Sequence, residues 1–161
     1  MPMKVLVPLV LALGIATPAG ALDAIGEIGA NLDGEELNWQ VMRQDDGSAM
    51  VQITDIGPLT MIELHALGDG SISIGLIFHG KPSGDTPPAG LTIDMRPDRG
   101  AMAGAVWESE EEPPQMSIDL LDLEDEGRIQ ASFAATLCRR DAPDDCRDVE
   151  GRIDTSLGAG P

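Results

Sequence analysis

The sequence predicts an all-β protein: a single-domain antiparallel β-sandwich or open β-barrel of about eight to ten short strands, after a cleaved signal peptide. Three observations carry that reading. Apolar residues recur with period two in many short runs, and none holds the 3.6-residue period of a helix. Turn-forming Gly, Pro, Asp and Asn interrupt the chain every 8–12 residues or so. The last third reads as one long hairpin. Ile129, Ala131, Phe133, Ala135 and Leu137 alternate with polar or small residues, and Val149, Gly151, Ile153, Thr155 and Leu157 alternate with Glu150, Arg152, Asp154 and Ser156.

A chain of 161 residues suits one domain and is short for two. Met1-Pro2-Met3-Lys4 precedes an apolar run from Val5 to Ile15 and a small-x-small site at Ala19-Gly20-Ala21. That is the layout of a signal peptide over residues 1–21, cleaved after Ala21 to leave an all-β domain over 22–161. The apolar run is too short to span a bilayer, and no second one follows, so no membrane insertion is expected after cleavage. The first cysteine is Cys138, which leaves none near the cleavage site to carry a lipid. The expected location is periplasmic or secreted.

Taken in order, Leu22 to Leu32 has no clean period and contains two glycines, which suits a lead-in or a first edge strand. Asp33-Gly34 marks a turn, after which Leu37, Trp39 and Val41 alternate with Asn38, Gln40 and Met42. Gln44 to Gly47 turns the chain into Ala49, Val51 and Ile53, which sets Met42 roughly opposite Met50. The segment from Thr54 to Pro58 ends that strand. Leu59 to Leu67 and Ser71 to His79 form the most apolar pair, a central hairpin about Gly68-Asp69-Gly70. Its tight turn places His65 opposite Ser73 and His79 opposite Leu59. Gly80 to Gly90 is a Pro/Gly-rich loop, the longest break in the pattern and the expected mobile surface element. Leu91, Ile93 and Met95 alternate, Pro97 to Gly100 turns, and Ala101 to Trp107 reads as a weaker strand. Glu108 to Pro114 is an acidic, proline-stopped loop. Met116, Ile118 and Leu120 then begin a strand that ends in Asp122 to Gly127.

Two cysteines in an exported chain most often form one disulfide, here Cys138 with Cys146. They bracket a polar loop whose Pro143 is expected to lie outside any strand. Closing so short a loop stabilises by about 2–3 kcal/mol. The spacing is not that of a CxxC redox motif, and neither histidine is near enough in sequence to complete a metal site.

The opening Gly34-Glu35 to Trp39 strand and the closing hairpin, Ser132 to Cys138 with Val149 to Leu157, resemble those of small exported bacterial proteins of unknown function. The resemblance covers about a fifth of the mature chain and implies a compact all-β exported domain. It implies no activity and no catalytic residue.

The formal net charge is −18; removing residues 1–21 takes away Lys4 and no acid, giving −18 − 1 = −19. Such a surface binds neither nucleic acid nor anionic lipid without an intervening cation, and it favours cations or a basic partner. Aromatic residues make up 2% of the chain, and Trp39, Trp107, Phe78 and Phe133 are the whole supply. Aromatic membrane girdles and sugar-stacking surfaces therefore lack material, and all four residues suit the core.

The densest acidic segment holds Asp122, Glu124 and Glu126, the candidate ligands for Ca²⁺, which is the one cofactor the sequence admits. It mimics the first half of an EF-hand loop, yet the twelfth position is Phe133 where a bidentate Glu is required. A solvated acidic turn explains the same residues. Glu63 and His65 share a strand face, an arrangement suited to a carboxylate-oriented base and equally to a half-exposed face. No nucleophile elbow or zincin motif is present, so an enzyme is not the expectation. The expectation is an exported non-enzymatic binding or structural module of unknown ligand, using the loops Gly80–Gly90 and Glu108–Gly127. The alternatives are a Ca²⁺-dependent exported domain using the acidic loops 108–127, and a lipocalin-like carrier of a small apolar ligand.

Overall fold

The computed structural model describes residues 22–43, 50–97, 104–109 and 113–158. The expected signal peptide over 1–21, the expected turns at 44–47 and 98–100, the start of the expected weaker strand at 101–103, and Glu110 to Glu112 lie outside the described residues. The ten strands are β1 (Asp23–Leu32), β2 (Glu35–Arg43), β3 (Val51–Ile56), β4 (Leu59–Gly68), β5 (Gly70–His79), β6 (Gly90–Arg96), β7 (Trp107–Glu108), β8 (Gln115–Asp122), β9 (Arg128–Arg139) and β10 (Ala142–Ser156). Every pairing is antiparallel.

The period-two pattern selects the buried face at each step. In the β4–β5 hairpin Ile62, Leu64 and Ala66 point inward with Ile72, Ile74 and Leu76, all at most 1% exposed. Its register sets His65 against Ser73 and Leu59 against His79, as the tight turn requires. Between β1 and β2, Asp33 (φ 55°) and Gly34 (φ 93°) both take positive φ, the type I′ geometry that matches strand twist. Met50 N–H donates to the Met42 carbonyl at 2.9 Å, so these two methionines do meet across the second turn.

Pairing runs through the circuit β1-β2-β4-β5-β6-β7-β9-β10 and back to β1; β3 is added to β4 and β8 to β9. Three links in that circuit, β2–β4, β6–β7 and β7–β9, are only two residue pairs wide. They divide a sandwich-like fold into β3-β4-β5-β6 and β2-β1-β10-β9-β8, which share one apolar core. Each narrow seam carries a tryptophan. Trp39, 1% exposed, donates its indole N–H to the Asp69 carbonyl at 2.8 Å. Trp107, 4% exposed, lies under the Arg147 guanidinium, whose central carbon is 4.5 Å from the ring centroid. Where few ladder hydrogen bonds hold, burial of a large ring supplies the adhesion, roughly 1.5–3 kcal/mol for each large apolar side chain.

Several elements differ from expectation. Asp23–Leu32 form an interior strand, β1, between β10 and β2 rather than an edge. The turn between β9 and β10 is tighter than the expected loop, and Pro143 lies inside β10. It sits in a bulge where the ladder jumps from Ala142–Arg139 to Cys146–Cys138, so no cross-strand partner calls for its missing N–H. Among the described residues of the weaker strand, 104–106 take no strand conformation and pairing begins at Trp107, in the two-residue β7. In β8 a register shift between Ile118 and Leu120 turns Leu120 outward, 40% exposed, and gives the inner side to Leu121. The Gly80–Gly90 loop lies against β8: a Cβ on Gly84 would stand 3.7 Å from the Leu121 nitrogen. Cys138 and Cys146 face each other across the β9–β10 ladder and are joined as a disulfide.

Candidate functional site

The outer faces of the two sheet halves hold the polar chemistry. On β2-β1-β10-β9-β8 the registers align one cross-strand row, Asn38–Gly29–Arg152–Ser132–Ser117. The neighbouring rows bring Glu36 and Glu150 to one side and Glu27 and Asp154 to the other. Together they line an open cleft of about 960 Å³ that reaches from β2 to β8.

Small residues keep the floor of this cleft low. Arg152 has only Gly29 and Ser132 as direct cross-strand neighbours. Beneath the floor, Phe133 lies across the Cα of Gly151, taking the room a side chain there would need. Arg152 is exposed and, among the described residues, makes no hydrogen bond or ion pair. Asp154, two residues on, does not serve it. One Asp154 oxygen accepts from Arg128 at 2.5 Å and the other from Gln130 at 3.1 Å. Glu27, Glu36 and Glu150 are exposed and, among the described residues, equally unpaired. The face therefore offers one planar cation with all five donors free, surrounded by three free carboxylates and by amide and hydroxyl groups.

A second polar row crosses the other half: His65, Ser73, Asp94 and Glu108 face one another in turn across β4, β5, β6 and β7. His65 Nδ1 and Ser73 Oγ share a hydrogen bond of 2.9 Å. Glu108 is buried and held by Arg140, whose Nε and Nη2 donate to Oε2 at 2.8 and 2.5 Å. Burial, and then the neighbouring Glu108 carboxylate, push the Asp94 pKa up, with Arg140 and Arg96 pulling the other way. Catalysis is poorly served here. His65 turns to Ser73, Asp94 lies beyond Ser73 on the far side from the imidazole, and none of the four lines the cleft.

The acidic turn between β8 and β9 holds the sequence-derived metal candidates Asp122, Glu124 and Glu126. Asp122 Oδ1 accepts from the Glu124 N–H at 2.8 Å, and the Glu124 carbonyl accepts from Gly127 N–H at 2.8 Å. Glu126 stands 3.4 Å from the Arg43 guanidinium. Among the described residues no three His, Cys, Asp or Glu side chains gather as metal ligands. Upstream in the 108–127 stretch, Glu108 is committed to Arg140. The lining of the cleft mixes polar side chains with apolar ones, among them Leu37, Met116 and Phe133. Comparison with known proteins gives no match: no family model fits the sequence, no curated protein is significantly similar, and no solved structure matches the fold.

The Arg152 face escaped the sequence reading. Its signal is present, a lone base between acids at i−2 and i+2 on a strand, but outward polar residues on any strand look alike until the register assembles them.

Proposed function

We propose that this protein is an exported, non-enzymatic binding module whose ligand lies on the concave outer face of β2-β1-β10-β9-β8. The observation that carries this reading is the cleft of about 960 Å³ with the unpaired Arg152 at its centre. A solvated face has no need to be concave, and an arginine with carboxylates nearby in sequence normally spends its donors on them. Export is supported by the signal-like residues 1–21 and by the Cys138–Cys146 disulfide, which suits an oxidising compartment. No described helix is long and apolar enough to cross a membrane. The three free glutamates and the overall charge of −18 favour a ligand with positive charge.

Ala134, exposed within the cleft, supplies the test. A fluorescein-labelled oligolysine peptide is titrated into the wild type and into Ala134→Trp, which fills the cleft from an exposed position. Binding weakened about tenfold or more in the folded variant supports the reading. Equal binding refutes it.

A further inference from the structure

Resting on that reading of the face, we infer that Arg152 receives a free carboxylate, and that the ligand is the C-terminal end of a basic peptide. A guanidinium with an open fork pairs two-pronged with a carboxylate more specifically than with any other single-charge group. Arg152 is not spent on neutralising its own strand, because Asp154 is already satisfied by Arg128 and Gln130. Gly29 and Ser132, its cross-strand neighbours, place no bulk over it. The surroundings restrict what else the ligand carries. Glu27, Glu36 and Glu150 repel a polyanion and attract ammonium or guanidinium groups, so the ligand combines one anionic end with a cationic body.

The dimensions fit a peptide. Strands lie about 4.8 Å apart, so Arg152 is about 10 Å from either end of its row. That is the length of roughly three residues of extended chain. A terminal carboxylate on Arg152 therefore lays the last three residues or so along the row, toward Asn38 or toward Ser117, with basic side chains reaching the glutamates. Asn38 and Ser117, both exposed, can hydrogen-bond the peptide backbone.

The test compares two oligolysine peptides, one ending in a free carboxylate and one amidated, by fluorescence anisotropy at low ionic strength. The wild type is expected to bind the acid form about tenfold more tightly than the amide. Arg152→Gln is expected to bind both forms alike, and to bind the amide as well as the wild type does or better, because the face has lost a positive charge. Glu150→Gln is expected to weaken both peptides and leave their ratio unchanged. Arg152 has no described partner, so its variant should melt as the wild type does; a variant that melts lower is replaced by Arg152→Lys, expected to keep only part of the acid preference. Equal binding of acid and amide by the wild type overturns the carboxylate assignment while leaving the face standing. An acid preference that survives in Arg152→Gln overturns it too. Failure of both peptides to bind overturns the face as well.

Discussion

Replacing Gly151 with alanine probes the layer on which the cleft rests. Gly151 lies between Ala30 of β1 and Phe133 of β9. An added Cβ would stand 2.5 Å from Phe133 Cε1 and 2.8 Å from the Gly29 carbonyl oxygen, both closer than real Cβ contacts come. The ring has little room to yield, because Phe133 is 3% exposed and packs within the core. One of the two must therefore shift, the ring into the core or the β1 backbone outward into the cleft floor. Overpacking of this kind destabilises by about 1–3 kcal/mol. For a domain of this size that lowers the melting temperature by roughly 3–10 °C. Part of the strain belongs to the ring and part to the Gly29 carbonyl, so a Phe133→Leu background should relieve the first and keep the second. Urea and thermal melts of the wild type, the two single variants and the double variant should show Gly151→Ala less harmful beside Leu at 133. The coupling expected is about 0.5–2 kcal/mol. A neutral Gly151→Ala, or the same loss in both backgrounds, would falsify the account of the floor.

Three further outcomes are expected. Arg140→Ala strands the buried Glu108 carboxylate and should destabilise by about 1–3 kcal/mol in denaturant melts, with most of the loss recovered by adding Glu108→Gln; no recovery would mean the ion pair is not what holds β7. Asp94 has its pKa raised from the ordinary 3.8, so the folded state binds its proton more tightly than the unfolded state, and stability falls as pH rises from 3.8 through the raised value. Asp94→Asn should accordingly melt above the wild type near neutral pH, the gap closing as pH drops toward 3.8, and a gap that widens on acidification contradicts the sign. Because Glu126 is paired with Arg43 and Asp122 caps its own turn, millimolar Ca²⁺ and ionic-strength-matched NaCl should raise the melting temperature equally. A rise with Ca²⁺ alone, lost in Asp122→Asn, would instead establish a metal site on this turn.

Much of the architecture was legible because local chemistry and tertiary structure agree. The Gly68-Asp69-Gly70 turn leaves the β4–β5 ladder little choice of register, and the alternation of β9 and β10 names their buried faces directly. Where a strand is built from small residues the signal fades: β1 has glycines at 26 and 29, so its period is weak although neighbours flank it on both sides. Bulges are harder still. The jump past Pro143 and the shift beside Asp119 each change which residues face inward, and neither is marked by a residue type that occurs only in bulges. The candidate face depends on one pairing between strands far apart in the chain, β1 with β10. Gly29 and Glu36 come from the first hairpin, and Arg152 and Ser117 from the last three strands; only the β1–β10 register, which no short window of sequence contains, brings the two groups together.

The pairing of β1 with β10 gives the molecule a sense of timing. The proposed binding face is made of the first two strands and the last three, and the hairpin of β4 and β5 lies between them in the chain. During synthesis β1 and β2 emerge early, then wait with one flank of β1 bare until β10 arrives. A chain still held at the ribosome can thus close its middle hairpin while it has neither Arg152 nor the cleft. On the proposed reading the face is complete only once β10 is in place, because β10 supplies Arg152 and Glu150 and joins β1 to β9.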